Sequence, residues 1–325
     1  MRNTTIFFTL LAATALSGCP GNNTARDGGG GGTDTNVPRE DTGIPPEDTG
    51  TGGTDSGTPA TDVPLASVVN ASAADHPADG TTIHITGDLV ALSRTYVDPQ
   101  TSGRCLGFAW IGTLAGGDHS GIEIVEQYDP DTGSTCFDTP PHVIPNLHIG
   151  DAITNLVGRF ANFCPSGSAC PPNTAQELIV TTGTVTAGTS AGDPVATDVT
   201  VAEIAATGIS PAPRDMALQN ALVHLTDVVI GPTENNADAP NGTNHNIMGV
   251  VQTGSTTPIM RIEMSAYPGV SCQRTQLTTA GQTVGDITGL LHFSFGEWRI
   301  QPRVGEDLPG ITCTDAGTGG VDAGM

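Results

Sequence analysis

The sequence predicts an all-β protein in which two tandem five-stranded barrels follow a disordered stalk. Three observations predict it. From residue 64 onward, apolar and polar residues alternate with a period of two in short segments, which is typical of half-buried strands. The order of these segments recurs at a spacing of about 135 residues, which indicates a duplicated domain rather than a solenoid. Before them, residues 20–63 are mainly Gly, Thr, Asp and Pro, and they bury too little apolar surface to offset the entropy of ordering.

The first module, predicted over residues 64–190, contains five strand-like segments and no convincing helical periodicity. In the first segment, apolar residues alternate with other residues (Ile83, Ile85, Leu89 and Ala91 against Thr82, His84, Asp88 and Val90). The second segment places four apolar side chains on one face (Leu106, Phe108, Trp110 and Leu114). The others are GIEIVEQ (121–127), which places Ile122 and Ile124 opposite Glu123, then IGDAITNLVGRFANF (149–163) and AQELIV (175–180).

The second module, predicted over residues 191–313, repeats this order. Its segments are ALVHLTDVVIG (221–231), NIMGVVQTG (246–254), TPIMRIEM (257–264), TVGDITGLLHFSF (283–295) and EWRIQPR (297–303). In the third of these, Met260, Ile262 and Met264 alternate with Arg261 and Glu263. The closest internal match is residues 149–160 against 284–293, where a Gly-Asp turn leads into a long strand in both modules. Glycine can supply a positive φ there, and the aspartate can bind nearby backbone amides.

Five strands with a long first strand and an irregular crossing between the third and fourth suggest an OB-fold barrel. The GDLV run, the FAWI strand, the VGDITGL turn and strand, and the closing GEWRIQPRVGEDL resemble the tandem OB-like modules of secreted bacterial nucleases. In those nucleases such modules accompany a metal-dependent endonuclease/exonuclease/phosphatase domain. The resemblance covers residues 64 to about 310. Residues 314–325 are a flexible Gly/Asp/Thr tail, so we expect the accessory modules without the catalytic domain.

The N-terminus predicts export and a lipid anchor. A single charge, Arg2, precedes the apolar run IFFTLLAATAL (6–16), which matches a signal peptide over residues 1–18 and is too short to span a bilayer. The sequence LSGC ending at Cys19 resembles the lipobox of bacterial lipoproteins, which implies lipid on this sulfur and a mature chain without a transmembrane helix. Pro20 in place of Asp favours the outer membrane. The alternative is an ordinary signal peptide in which Cys19 is incidental.

Six cysteines remain after Cys19, and an even number in an exported chain indicates disulfides (Cys105, Cys136, Cys164, Cys170, Cys272 and Cys313). If each module closes its own set, Cys272 pairs with Cys313. The first four allow three pairings, of which the two local pairs, Cys105–Cys136 and Cys164–Cys170, are favoured. A zinc site is the alternative, but CPSGSAC lacks the paired C-x-x-C spacing of structural zinc.

The charge balance argues against an ordinary phosphate-backbone binder. Residues 64–313 contain 8 arginines, no lysine and 24 acidic residues, a net charge of −16. Binding to a nucleic-acid backbone normally needs a basic stripe, although a local patch or a bridging divalent cation could supply one. Strong acidity mainly confers solubility.

The sequence offers no catalytic constellation. GTSAG (188–192) matches a nucleophile motif around Ser190, but Asp193-Pro194 follows instead of a helix, which favours a linker. Asp118 and His119 are adjacent and fit a hairpin turn better than a metal site. Asp129 and Asp131 have the spacing that opens a calcium loop without its later acid, so a turn is favoured and weak calcium binding is the alternative. We expect no other cofactor.

The candidate binding residues are aromatics and arginines on predicted strands (Phe108, Trp110, Arg261, Trp298 and Arg299). In OB-folds that bind single strands, exposed aromatics on strands two and three stack on bases. A barrel of this size needs large residues inside, so core packing is favoured for Phe108, Trp110 and Trp298. Arg303 and Asp307 are expected to pair with each other or to cap the closing turn, a structural role in either case.

These observations predict a lipid-anchored, non-catalytic protein that displays binding modules at the envelope. The expected ligand is extracellular nucleic acid, another polymer or a partner enzyme. The alternative is a scaffolding protein that binds other surface proteins. Polymer binding predicts an exposed groove with arginines and aromatics on strands two and three, whereas scaffolding predicts an exposed apolar patch.

Overall fold

The architecture comes from a computed structural model of the chain, which describes residues 60–100, 102–163, 175–204, 213–230, 247–252, 260–263, 283–294 and 297–311. All of them belong to one compact unit within residues 39–325. The predicted signal peptide, nearly all of the predicted stalk, and the tail lie outside the described residues. The same holds for five of the cysteines (Cys19, Cys164, Cys170, Cys272 and Cys313).

The described chain is almost entirely β, as predicted, and forms two sheets. Module 1 contains β1 (Thr61–Pro64), α1 (Leu65–Val69), β2 (Thr82–Thr86), β3 (Leu89–Ala91), β4 (Tyr96–Pro99), β5 (Cys105–Thr113), β6 (Gly121–Tyr128), β7 (Asp151–Asn162) and β8 (Gln176–Ser190). Module 2 contains β9 (Thr197–Asp198), α2 (Val201–Ile204), α3 (Pro213–Ala217), β10 (Leu222–Ile230), β11 (Ile247–Gln252), β12 (Met260–Glu263), β13 (Thr283–Ser294), β14 (Glu297–Gln301) and a 3-10 helix (Gly305–Asp307).

In module 1 the strand pairing returns to its starting point. β3 pairs with β5, β5 with β6, β6 with β8, β8 with β7, and β7 with both β2 and β3. β2 and β3 together form a first strand that is interrupted at Gly87, where φ is +132°. Numbered in chain order, the five strands therefore pair as 1-2-3-5-4-1, with only the 3–5 pair parallel. This is the strand order of an OB-fold.

Module 2 has the same order. β10 pairs with β11, β11 with β12, β12 with β14, β14 with β13, and β13 with β10; only β12 and β14 run parallel. The Gly-Asp turns at the start of β7 and β13 have the positive φ that the sequence predicts, +86° at Gly150 and +75° at Gly285.

The two modules also share an element that precedes the barrel. β1 pairs in parallel with β2, and β9 pairs in parallel with β10. In each pair an aspartate opposes a histidine: Nδ1 of His84 is 2.7 Å from Oδ1 of Asp62, and Nδ1 of His224 is 2.8 Å from Oδ1 of Asp198. The duplication therefore includes this leading strand.

Some boundaries and short elements differ from the sequence prediction. β1 begins at Thr61, so the first three residues of this strand fall within the predicted stalk. β4 and the three short helices were not predicted, since four or five residues are too few to show a period. In the described part of the chain, no helix has the length and apolar character needed to cross a membrane.

Each barrel has its own apolar core. In module 1 the predicted inward residues Ile83, Ile85, Leu89 and Ala91 are all buried, together with Ile122 and Ile124 of β6. In module 2 the core includes Trp298 and Ile300, which confirms their predicted packing. Glu263, which alternates with Met260 and Ile262 on β12, is also buried, with 5% exposure.

The long connection between β6 and β7 is attached to the rest of module 1 by a disulfide and by a set of hydrogen bonds. The predicted disulfide Cys105–Cys136 is present, with an S–S distance of 2.05 Å. The buried carboxylate of Glu126 accepts three backbone N–H hydrogen bonds, from His142, Val143 and Ile144, at 2.7 to 2.9 Å. A carboxylate that receives three donors holds the connection against the barrel at that point.

Candidate functional site

The outer face of module 1 at strands one and two packs against module 2, and strand three meets module 2 at Glu123. We call this contact the joint and define it by its apolar cluster, in which three buried residues of module 1 meet two of module 2 (Val90, Leu92 and Trp110 with Leu222 and Leu290). Partly buried Tyr96, Phe108 and Leu114 pack against the cluster. The face of an OB-fold at strands two and three is where such folds bind oligonucleotides and oligosaccharides. In module 1 this face is therefore occupied by the neighbouring module.

Asn220, just before β10, is the polar centre of the joint. Its side-chain oxygen accepts a hydrogen bond from Nε1 of Trp110 at 3.2 Å, and its Nδ2 donates to the backbone oxygen of Gln176 at 2.9 Å. Its own backbone N–H donates to the oxygen of Leu291 at 2.6 Å. Asn220 has a φ of +59°, a conformation that asparagine adopts more readily than most residues. One side chain thus connects strands of both modules.

Arg303 of module 2 also connects the two modules. Its guanidinium makes two hydrogen bonds to the carboxylate of Asp307, at 3.0 and 2.9 Å, which confirms the predicted pair. The same guanidinium donates to the backbone oxygen of Leu92 in module 1 at 3.0 Å. Arg303, Asp307 and Leu92 are all buried. The two hydrogen bonds to Asp307 therefore also orient the arginine toward module 1.

Beside the apolar cluster lies a layer of ionisable side chains, which we call the charged layer (Glu123, Glu177, Glu263, His292 and Arg299). Nδ1 of His292 in module 2 is 3.6 Å from Oε2 of Glu123 in module 1. NH1 of Arg299 is 3.2 Å from Oε2 of Glu263. Glu123 and Glu177 oppose each other on the paired strands β6 and β8. The layer therefore holds three carboxyl groups and one guanidinium.

Burial shifts the protonation of this layer toward neutral forms. Burial, with the nearby Glu177 and Glu263 carboxylates, raises the pKa of Glu123 well above its usual range. Burial raises the pKa of Glu177 to about 8, against the attraction of Arg159, which lowers it. Burial lowers the pKa of His292 to about 4. Since both partners favour their neutral forms, the Glu123–His292 contact is better described as a polar contact than as an ion pair.

The aromatic candidates occupy two different environments. Trp298 lies in the core of module 2, as favoured. Trp110 is buried, with 1% exposure, but in the joint rather than in the barrel core that was expected, and Phe108 packs beside it. The alternation of β5 explains this difference, because Ala109 and Ile111 take the inward positions of the strand. Buried in this way, Trp110 has no free ring face for a base.

The arginine candidates are placed on neighbouring strands of module 2. Arg299 is buried and paired with Glu263, so it does not line an exposed groove. Arg261 lies on β12, in register with Arg299 on β14.

The loop candidates lie in turns, in a strand connection and at the end of β8. Asp129 lies 3.1 Å from Nε of Arg104, and Asp131 accepts a backbone hydrogen bond from Ser134 in a turn. Asp118 and His119 lie in the β5–β6 connection, where Asp118 is 3.3 Å from Arg214. Ser190 ends β8 and accepts a hydrogen bond from the Gly192 N–H. Among the described residues, no group of three or more His, Cys, Asp or Glu side chains could hold a metal ion.

Sequence reasoning did not identify Asn220 or the acidic members of the charged layer. A lone glutamate on an alternating strand has the pattern of a solvent-facing residue, yet the Glu123 side chain is 15% exposed and Glu177 is 6% exposed. The signal that was available is the apolar outer face of β5, where Trp110 and Phe108 alternate with inward residues and therefore require a second covering surface.

Comparison with known proteins does not assign a family. No family model matches the chain, and no curated protein matches it. Among solved structures, a deletion mutant of the single-stranded DNA-binding protein from Thermus aquaticus is 12% identical, covering 70% of this chain and 93% of that chain, with a TM-score of 0.17. So low a TM-score carries no argument about fold or ligand.

Proposed function

We propose that the protein is a lipid-anchored, non-catalytic binding protein of a bacterial outer membrane in which module 1 is a platform and module 2 presents the ligand face. One observation carries this proposal: on module 1 the joint covers strand two at Trp110, and strand three contacts module 2 through Glu123. The corresponding strands of module 2 are β11 and β12. The lipid is assigned to Cys19 and the tether to the segment that follows it, on the sequence motifs alone.

The ligand we favour is an uncharged polymer such as an oligosaccharide, which OB-folds also bind. Four arginines with described side chains already face carboxylates: Arg104, Arg214, Arg299 and Arg303. Engaged cations in a strongly acidic chain supply little attraction for a phosphate backbone.

The anchor is tested by cell fractionation. Replacing Cys19→Ala should move the protein from the membrane fraction to the soluble fraction, because a lipid on this sulfur would be its attachment. An exchange of Ser17→Ala, which keeps a small residue before the cysteine, is the control and should remain in the membrane. Membrane retention of the Cys19→Ala variant would contradict the anchor.

The ligand is tested with the full-length Cys19→Ala chain on immobilised uncharged polysaccharides and on single-stranded thymidine DNA, at low and moderate salt. We expect retention on a polysaccharide that does not depend on salt. Arg261→Ala on β12 should weaken it, whereas Arg104→Ala in module 1 should not. Failure on every polysaccharide would contradict the ligand class.

Single-stranded nucleic acid is a second candidate. The observation that favours it is the OB strand order of module 2, a platform on which many proteins stack bases. Retention on DNA that falls steeply with salt would support it over the polysaccharide. The scaffolding alternative predicts an apolar patch, and the large exposed apolar side chains of the described part are Phe137 and Val195, which stand on different loops.

A further inference from the structure

The charged layer lies where the two modules meet; each module has its own main core cluster, and that of module 2 also includes Ala175 and contacts Phe163 from module 1. Glu177, Glu263 and Arg299 are at most 6% exposed, and the side chains of His292 and Glu123 are 14% and 15% exposed. The joint closes over them with only a small apolar cluster. Separating the two faces would rehydrate the layer without opening either barrel.

The layer contains more acid than base. The only guanidinium of the layer, Arg299, is directed at Glu263, and the nearest basic group to Glu123 is the imidazole of His292. Glu177 is attracted by Arg159 and repelled by Asp79. At the rim, Arg214 pairs with Asp118 and Glu203, and Arg303 pairs with Asp307, so these cations are engaged elsewhere.

We propose that the charged layer is a proton-dependent latch: with Glu123 and Glu177 protonated the two modules close, and when both carboxyls ionise the joint opens while each barrel stays folded. Burying an ionised carboxylate is costly unless a cation and hydrogen bonds compensate it. Two carboxylates on opposed positions of paired strands also repel each other. Oε1 of Glu177 has no hydrogen-bond partner among the described residues, so in the ionised form this oxygen would be buried without a hydrogen bond.

The direction of the pKa shifts agrees with this geometry. The pKa of Glu177 is raised to about 8, so its carboxyl carries a proton at neutral pH, and burial raises the pKa of Glu123 well above its usual range in the same direction. His292, with its pKa lowered to about 4, is neutral there. Opening is therefore expected on the alkaline side of neutrality. This inference goes beyond the proposed function and depends on neither the anchor nor the ligand.

The chain contains two tryptophans, and they report on different places. Trp110 lies in the joint and Trp298 in the core of module 2. In a Trp298→Phe chain, the emission of Trp110 should shift to longer wavelength as pH rises from about 6 to about 10. In a Trp110→Phe chain, the emission of Trp298 should stay constant. Adding Glu123→Gln and Glu177→Gln, which cannot ionise, should abolish the Trp110 transition, and the exposed control Glu306→Gln should leave it in place.

Two results would overturn the latch. One is a Trp110 emission that does not change over this pH range. The other is a simultaneous change in the emission of Trp110 and of Trp298, which would mean global unfolding. If a tryptophan variant does not fold, small-angle scattering of the wild-type chain gives the same test. The radius of gyration should increase at alkaline pH in the wild type and not in the Glu123→Gln, Glu177→Gln chain, with near-native circular dichroism in both; an unchanged radius would contradict the proposal.

Discussion

The indole N–H of Trp110 in module 1 donates a hydrogen bond of 3.2 Å to the side-chain oxygen of Asn220 in module 2. Trp110 lies on strand two of its barrel, on the face that OB-folds use for ligands. Module 2 supplies the hydrogen-bond acceptor for its indole N–H and apolar contacts for its ring, from Leu222 and Leu290. The aromatic residue that most resembled a ligand contact is therefore a structural contact between modules.

Asn220 should tolerate glycine better than alanine. Both changes remove the hydrogen bonds to Trp110 and to the backbone of Gln176, which should cost roughly 2 to 4 kcal/mol, since a buried donor is left unpaired. Alanine also adds the strain of a Cβ at a φ of +59°, about 1 kcal/mol more. Urea unfolding of the two variants measures the difference. Equal stabilities would show that backbone strain is absent at this position.

The barrels themselves could be predicted from the sequence, because strand alternation is a local property. Ile83, Ile85, Leu89 and Ala91 needed only a period of two to be placed inside. The Gly-Asp pairs likewise identify the turns before β7 and β13.

The joint could not be predicted, because it depends on which outer faces meet. Glu123 and Glu263 alternate with apolar residues on their strands, yet the Glu123 side chain is 15% exposed and Glu263 is 5% exposed. The pairing of the two leading strands, β1 and β9, could not be predicted from the sequence either. TDV occurs at residues 61–63 and again at 197–199, but only the parallel pairing with β2 and β10 places the aspartates beside His84 and His224.

Gly121 at the start of β6 should not accept a side chain. A Cβ there would overlap the backbone carbonyl of Asn220, and a backbone group cannot rotate away. Gly121→Ala should therefore cost about 1 to 3 kcal/mol and expose Trp110 at every pH. Gly188→Ala is a matched control, because its Cβ would come no closer than 3.3 Å to a methyl of Thr154 and 3.7 Å to atoms of Ala152. Equal stability of the two variants would contradict the close approach of the modules at Gly121.

The Cys105–Cys136 disulfide should stabilise module 1. It closes a loop with a sequence separation of 31 and so constrains the unfolded chain. Removing such a disulfide typically lowers the free energy of unfolding by about 2 to 4 kcal/mol. The Cys105→Ser, Cys136→Ser double variant should show this loss in thermal or urea unfolding without reductant. The Glu126 hydrogen bonds should keep part of the connection in place, so the fold itself should persist. A loss below roughly 0.5 kcal/mol would mean that those bonds alone hold the loop.

Stability should fall as pH rises from mildly acidic to alkaline. Carboxyls whose pKa is raised in the folded state, Glu123 and Glu177, stabilise it fully below their unfolded pKa of about 4.5. For Glu177 that stability is lost as pH rises to about 8. His292 acts in the opposite direction, because its lowered pKa makes stability present above about 6.5 and lost as pH falls to about 4.

The sum of these effects changes slope near neutrality. Between about pH 4.5 and 6.5 the histidine offsets Glu177, and Glu123 lowers the free energy of unfolding in the same direction as Glu177. Above about 6.5 the histidine no longer contributes, and Glu177 alone should lower the free energy of unfolding by about 1.4 kcal/mol per pH unit until it has ionised near pH 8. Urea unfolding across this range measures it. Glu177→Gln should remove the contribution of one ionising carboxyl from this slope, whereas Glu306→Gln should leave the slope unchanged. A Glu177→Gln profile parallel to that of the wild type would mean that Glu177 is ionised in the folded protein at every pH tested.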